Sequence, residues 1–185
     1  MLKEILKETQ EKMKKAVEAT DRELKSLRTG RASTSLVESV VVEAYGTNTP
    51  LKGLATISTP DPRTIQIQPW DRNLLGAIEK AILAANLGLT PNNDGRVIRL
   101  NIPALTEERR KELVKVAHKM AEEGRVAVRN VRRSANEEIK ATEKRHEISE
   151  DEREKTIQDV QKLTDERIAE IDKHLAAKEK EILEV

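Results

Sequence analysis

Residues 106–144 read TEERRKELVKVAHKMAEEGRVAVRNVRRSANEEIKATEK, and this stretch decides the fold. Thr106 can cap a helix whose first turn carries Glu107 and Glu108, where the helix dipole favours negative charge. Leu113, Ala117, Met120, Ala127, Val131 and Ala135 then recur at spacings of three, four and seven, which predicts a one-sided helix to about Lys144. Just beyond it, Ser149-Glu-Asp-Glu152 is a capping box that opens a second helix with a stripe of Ile157, Val160, Ile168, Ile171, Leu175 and Ile182. At the other end of the chain, Leu2, Ile5, Leu6, Met13, Ala16, Val17, Leu24 and Leu27 form a third stripe, stopped near Gly30. A helix with one apolar face is not stable alone, so the three converge into a bundle. At about 1.5 Å per residue, helices of about 28, 38 and 35 residues make a rod roughly 40–55 Å long.

The period changes between the first and second stripes. Val37–Tyr45 is rich in β-branched residues and reads as a strand, and Gly46–Pro50 as a turn. Residues 51–59 and Arg63–Gln68 read as further strands. Asp71 can cap a helix running to about Asn86 and stopped by Gly88, Pro91–Gly95 reads as a turn, and Arg96–Ile102 as a last strand. The expectation is an α+β protein: an elongated three-helix bundle (residues 1–29 and 106–185) with a small β/α/β head (31–104) inserted in it. Two short passages, near 29–31 and 103–105, connect them. Neither is long enough to be a loose linker, so they are expected to act as a hinge.

Composition removes several classes of function. The 185 residues hold one Trp, one Tyr and no Phe, which argues against an aromatic-filled β-sandwich, and two rings are too few for a base-stacking platform. The absence of Cys excludes disulfides, Cys-ligated zinc and thiol catalysis. No apolar run approaches the roughly 18 residues of a membrane span, and the N-terminal stretch reads as amphipathic helix, not as a signal peptide. A soluble cytoplasmic protein, without membrane contact, is expected.

Net charge is +1, but it is unevenly spread. Residues 109–133 hold nine basic residues against three acidic, and residues 149–185 seven against twelve. Such asymmetry suggests a face that meets a polyanion, or two helices that pair with each other. On a helical wheel with Leu113 at zero, Arg132, Arg125, Arg129 and Arg133 fall between roughly 100° and 200°, off the apolar stripe. Lys111 and Lys115 extend that face. Glu122 stands three before Arg125 and Glu137 four after Arg133, whereas Arg129 and Arg132 have no acidic residue at three or four. The planar guanidinium suits bidentate phosphate binding, so a rigid helix with clustered Arg can read the shape of folded RNA.

Motifs for catalysis are missing. The seven Gly residues form no phosphate-cradling loop. Glu143-x-x-His146 has the form of half a di-iron site without the second half, and Asp172 and His174 fall on different faces of one helix. Asp61, between two prolines, and Asp94-Gly95 read as turns. No nucleophile, base and orienting group come together, so the chain reads as a non-enzyme with no cofactor and no metal.

Several stretches resemble one family. They are Leu27-Arg-Thr-Gly-Arg-Ala-Ser33, Tyr45-Gly-Thr-Asn-Thr-Pro-Leu51, Ile78-Glu-Lys-Ala-Ile82, Leu87–Gly95, Leu105-Thr-Glu-Glu-Arg-Arg-Lys111, Val126-Ala-Val-Arg-Asn-Val-Arg-Arg133 and Ile148-Ser-Glu-Asp151. In order and over essentially the whole chain, they resemble bacterial ribosome recycling factor. The resemblance implies an L-shaped molecule close in form to tRNA, acting as a monomer. It implies binding to the ribosome after termination, chiefly to large-subunit rRNA in the intersubunit space. It also implies splitting of the subunits together with elongation factor G and GTP. The functional arginine of the family falls on Arg132, with Arg129 and Arg133 beside it. Arg28 and Arg31 fall in the hinge motif with Thr29 and Gly30, and Pro103, Ala104 and Leu105 form the return passage. One difference is Ala85-Asn86, where Ser-Asp is common in the family; Asn still serves near a helix end.

From the residues without that resemblance, a coiled-coil chaperone or nucleotide-exchange factor would also have long charged helices and few aromatics. A helical metalloenzyme is a more distant alternative. A Gly30→Pro change is expected to stiffen the hinge while leaving the rod able to dock.

Overall fold

The computed structural model describes residues 1–184; Val185, assigned above to the end of the rod, lies outside the described residues. The elements in order are α1 (Leu2–Ser26), α2 (Ser35–Glu38), β1 (Val41–Ala44), β2 (Thr47–Pro50), β3 (Ala55–Asp61), β4 (Thr64–Pro69), α3 (Leu75–Ala84), β5 (Pro91–Asn93), β6 (Ile98–Asn101), α4 (Glu107–Lys144) and α5 (Glu150–Glu184). They form two compact units, residues 1–28 with 107–184, and residues 29–106.

The first unit is the bundle of α1, α4 and α5, each packed on the other two. The 38 residues of α4 make it about 57 Å long. The capping box closes as its spacing predicts. Glu152 N–H donates to Ser149 Oγ at 3.1 Å, and Ser149 N–H donates to Glu152 Oε1 at 3.2 Å. The apolar stripes are partly as expected: Ile5, Met13, Val17, Leu24, Leu113, Ala117, Ala135, Val160, Ile171, Leu175 and Ile182 are buried. In contrast, Met120, Ala127 and Val131 are only half-buried, and Ala121, Gly124, Val128 and Ile139 take the centre of the α4 stripe. Helix α4 meets two helices, so its buried face is wider than one stripe and centred on its small residues.

Five threonines also enter this core. The hydroxyls of Thr9, Thr20, Thr142, Thr156 and Thr164 donate to the carbonyls of Ile5, Ala16, Glu138, Glu152 and Val160, four residues back, at 2.7–2.9 Å. A threonine bonded in this way has no unsatisfied polar atom and packs as a valine would. At one of them the helices come very close: a Cβ on Gly124 of α4 would stand 2.2 Å from Thr20 Oγ1 of α1.

The second unit contains two antiparallel sheets, β1-β2 and β3-β4-β6-β5. Ile65 pairs with Leu100, and Ile67 with both Ile57 and Ile98. Ile65, Ile67, Ile98 and Leu100 point to one side, where Ile78 and Ile82 of α3 join them with Val37, Val42 and Leu51 in a single core.

Five local elements differ from the expectations above. Residues 35–38 are a short helical turn, because the carbonyls of Ser33 and Thr34 accept the N–H groups of Leu36, Val37 and Glu38; the strand begins only at Val41. Residues 47–50 are β2 and residues 91–93 are β5. Both are short strands with mostly exposed polar side chains, so no hydrophobic alternation marks them. The turns are therefore tighter than expected: Tyr45-Gly46, at φ 52° and 77°, and Asp94-Gly95. Residues 51–53 form a single 3₁₀ turn before β3. The helix after Asp71 opens with a 3₁₀ turn capped by the Asp71 carboxylate, and α3 ends at Ala84, before Asn86 and Gly88 adopt positive φ.

Asp94 fastens the β5–β6 turn. Its carboxylate accepts from the backbone N–H groups of Val97 and Arg96, each at 2.9 Å, and from Arg99 Nη1 at 2.8 Å; the backbone bonds chiefly hold its pKa down to about 2. In the unfolded chain it would titrate near 3.9. The depressed value contributes stability above pH about 4, which is lost as the pH falls towards 2. NMR shifts of the β5–β6 amides should therefore change over that window. Asp94→Asn, which keeps the acceptor oxygen but cannot ionise, should flatten the change. Amide shifts with the same pH response in both proteins would contradict this assignment.

Candidate nucleic-acid interface

Packing of Ala121, Gly124, Val128 and Ala135 against α1 and α5 orients the remaining surface of α4, and its four central arginines differ in what surrounds them. Arg125 lies at the edge of the α4–α5 seam with 19% of its side chain exposed. Its Nε donates to Asp172 Oδ1 at 2.8 Å and its Nη1 to Glu122 Oε2 at 3.0 Å. Burial disfavours its charge, but the two carboxylates outweigh that and raise its pKa above the ordinary value. Arg129 Nη1 donates to the other oxygen of Glu122 at 3.1 Å. Arg125 and Arg129 together hold the Glu122 carboxyl below its usual range. Arg132 meets no carboxylate among the described residues; its Nη1 donates to the neutral Gln161 Oε1 of α5 at 3.3 Å. Arg133 is exposed and makes no ion pair among the described residues.

The four guanidiniums are thus not equally available. Arg125 is a strap between α4 and α5, and Arg129 shares one acid with it, so lying off the apolar stripe does not leave these two without a partner. Two signals were invisible to spacing within one helix. Asp172 comes from another helix, and Glu122 reaches Arg129 across seven residues. The anticipated Arg133–Glu137 pair is not formed among the described residues. Among the described residues, the adjacent pair Arg132 and Arg133 remains without a carboxylate.

Arg28 and Arg31, at the end of the first unit and the start of the second, are exposed and in no ion pair among the described residues. Thr29 between them is buried. Gly30 has φ +76°, and a Cβ there would stand 3.1 Å from Leu105 Cγ and 3.6 Å from the Pro103 carbonyl oxygen. The two passages 29–31 and 103–105 therefore touch at the glycine, while Pro103 and Ala104 are exposed. This geometry corrects the expected effect of Gly30→Pro. Proline fixes φ near −65°, the opposite sign, so it would break the junction and not merely stiffen it.

Both aromatic rings of the chain lie exposed in the second unit, Tyr45 with its hydroxyl on Asp71 and Trp70 with Nε1 on Thr56 Oγ1 at 3.0 Å. Neither contributes to a core. No helix among the described residues is long and apolar enough to cross a membrane, and no group of three His, Asp or Glu among them could hold a metal ion.

A model of the ribosome recycling factor family matches residues 20–183. The chain belongs to this family. The ribosome-recycling factor of Symbiobacterium thermophilum is 58% identical over 185 residues, spanning the whole of both chains. A solution structure of a ribosome recycling factor superposes with a TM-score of 0.74 at 53% identity, covering 100% of this chain and 98% of the other. A second structure, at a TM-score of 0.64 and 49% identity with 99% of each chain covered, presents the T. thermophilus factor and E. coli elongation factor G bound to the E. coli post-termination complex. Members of the family are translation factors and not enzymes, and their function is ribosome recycling.

Proposed function

We propose that this chain binds the post-termination ribosome through the arginine face of α4, chiefly on large-subunit rRNA in the intersubunit space. With elongation factor G and GTP hydrolysed on that partner, it then splits the subunits and frees them from mRNA. It works as a cytoplasmic monomer without a cofactor. The observation that carries the reading is the contrast along α4: Arg125 and Arg129 are bound to carboxylates, whereas Arg132 and Arg133 keep their charge on a long, braced helix. In a chain of this family, two such guanidiniums at adjacent positions are suited to phosphates of folded RNA, which is read by backbone and shape. The T. thermophilus relative, presented with elongation factor G on a post-termination complex, supports the choice of partner.

The chain itself brings rigidity and anchoring, and the passages at Thr29–Arg31 and Pro103–Leu105 give the inserted unit restricted freedom to move against the bundle. Light scattering tests the whole reading. Post-termination ribosomes given this chain, elongation factor G and GTP should lose scattering as subunits part, and omission of any of the three should abolish the change. Equal loss without the chain would refute it.

Gly30→Ala tests the elbow. A side chain at φ +76° costs roughly 1–2 kcal/mol. If motion passes through this backbone, splitting should slow by roughly 5-fold, about 1 kcal/mol of barrier. Ribosome affinity should stay within about two-fold. Stopped-flow scattering and pelleting separate the two quantities, and an unchanged splitting rate would reduce the passages to simple connectors.

A further inference from the structure

Among the described residues, the Arg132 guanidinium of α4 is held by a neutral amide. Gln161 Oε1 accepts from Arg132 Nη1 at 3.3 Å, and Gln161 Nε2 donates to Asp165 Oδ1 at 2.9 Å, one turn further along α5. The chemistry fixes which end of the amide faces which neighbour. A carboxylate only accepts and a guanidinium only donates, so the NH2 must face Asp165 and the carbonyl oxygen Arg132. Reversing the amide would set donor against donor and acceptor against acceptor.

Arg125 and Arg129 show what a charged holder does: their carboxylates orient the guanidinium and cancel its charge. An amide supplies orientation without cancellation. Arg133, with no holder, must give up its side-chain freedom whenever it binds. We propose that Gln161 is a positioning residue, through which α5 presents the Arg132 guanidinium to an rRNA phosphate pre-oriented and fully charged, with Asp165 setting the direction of the amide. This rests on the reading above that Arg132 is an rRNA anchor.

The test uses the full chain, vacant ribosomes and pelleting at several salt concentrations, with Gln161→Ala, Gln161→Glu, Arg132→Ala and the double change Arg132→Ala with Gln161→Ala. Gln161 is exposed on α5, so all four are expected to keep the parental melting temperature. Gln161→Ala removes the holder but no charge. Affinity should fall roughly 3- to 5-fold, the worth of one hydrogen bond, with the salt slope unchanged. Gln161→Glu keeps the shape but neutralises Arg132. Affinity should fall about 10-fold or more, and the dependence of log K on log salt should become shallower by nearly one. In the Arg132→Ala background the Gln161→Ala change should have no further effect.

The outcomes separate the two ideas. If Arg132→Ala weakens binding but both Gln161 variants bind as the parent does, the positioning role is overturned and the anchor stands. A loss from Gln161→Ala that persists in full without Arg132 also overturns the role, since the amide would then act on its own. If Arg132→Ala binds normally, the anchor itself fails and the positioning role with it.

Discussion

Arg132→Ala is expected to weaken binding to vacant ribosomes by about 1–3 kcal/mol at physiological salt, roughly 5- to 150-fold. The size of the effect follows from what Arg132 lacks. An arginine already paired within its own molecule must first give up that pair, so its net gain on meeting a phosphate is small. Arg132 has no carboxylate to release among the described residues, the Gln161 amide leaves its charge uncancelled, and its helix is braced along one side by α1 and α5. The same truncation at Arg125 should behave differently. It would leave Asp172 and Glu122 without their shared cation at the α4–α5 seam and would lower the melting temperature of the bundle more than its ribosome affinity. Pelleting and thermal melts on the two variants check both halves. Equal affinity for Arg132→Ala and the parent would remove the anchor, and a larger binding loss at Arg125 than at Arg132 would mean that the wrong guanidinium has been assigned.

Gly124→Ala should be the most damaging small substitution in the bundle. On an isolated helix it would be favourable by about 1 kcal/mol, because alanine is the better helix former. Here the added Cβ would lie 2.2 Å from Thr20 Oγ1 and 3.0 Å from Thr20 Cγ2, far inside contact distance. Thr20 is buried and its hydroxyl is committed to the Ala16 carbonyl, so it has little room to turn away. Helix α1 must then move off α4, and overpacking of this kind typically costs about 1–3 kcal/mol. The net result should be a clear loss of stability despite the gain in propensity. Thr20→Ala removes the atoms that clash, so the double variant should recover most of the loss. Chemical denaturation of the two single variants and the double variant measures the coupling. Additive losses would show that the helices do not meet at this pair.

The three helices were legible because their signals are local: Glu107 and Glu108 at one start, Ser149 and Glu152 at another, and apolar residues at helical spacing between. The inserted unit was legible in kind but not in detail. Strands β2 and β5 carry mostly polar side chains at sheet edges, so Thr47–Pro50 and Pro91–Asn93 look like turns until a neighbouring strand is known. Gly124 looks like a weak point in a helix, and Thr20 like a surface residue; only their approach from different helices gives each its meaning. The arginine face was legible as a density of charge. Its division into bound and unbound members was not, since Asp172 and Gln161 reach across from α5, at sequence separations that no single-helix pattern connects. Gly30 stands out in its motif, whereas the sign of its φ, which decides between alanine and proline as a probe, belongs to three dimensions.

The central claim is that a long helix bundle holds folded RNA through guanidinium groups its own packing leaves without a carboxylate. The most direct test is the salt dependence of binding to vacant ribosomes, measured for the parent and for Arg132→Ala. With about four phosphate contacts, log K should fall against log salt with a slope near −3, and removal of Arg132 should reduce the slope by nearly one. A flat response, or the same slope with and without Arg132, would contradict it.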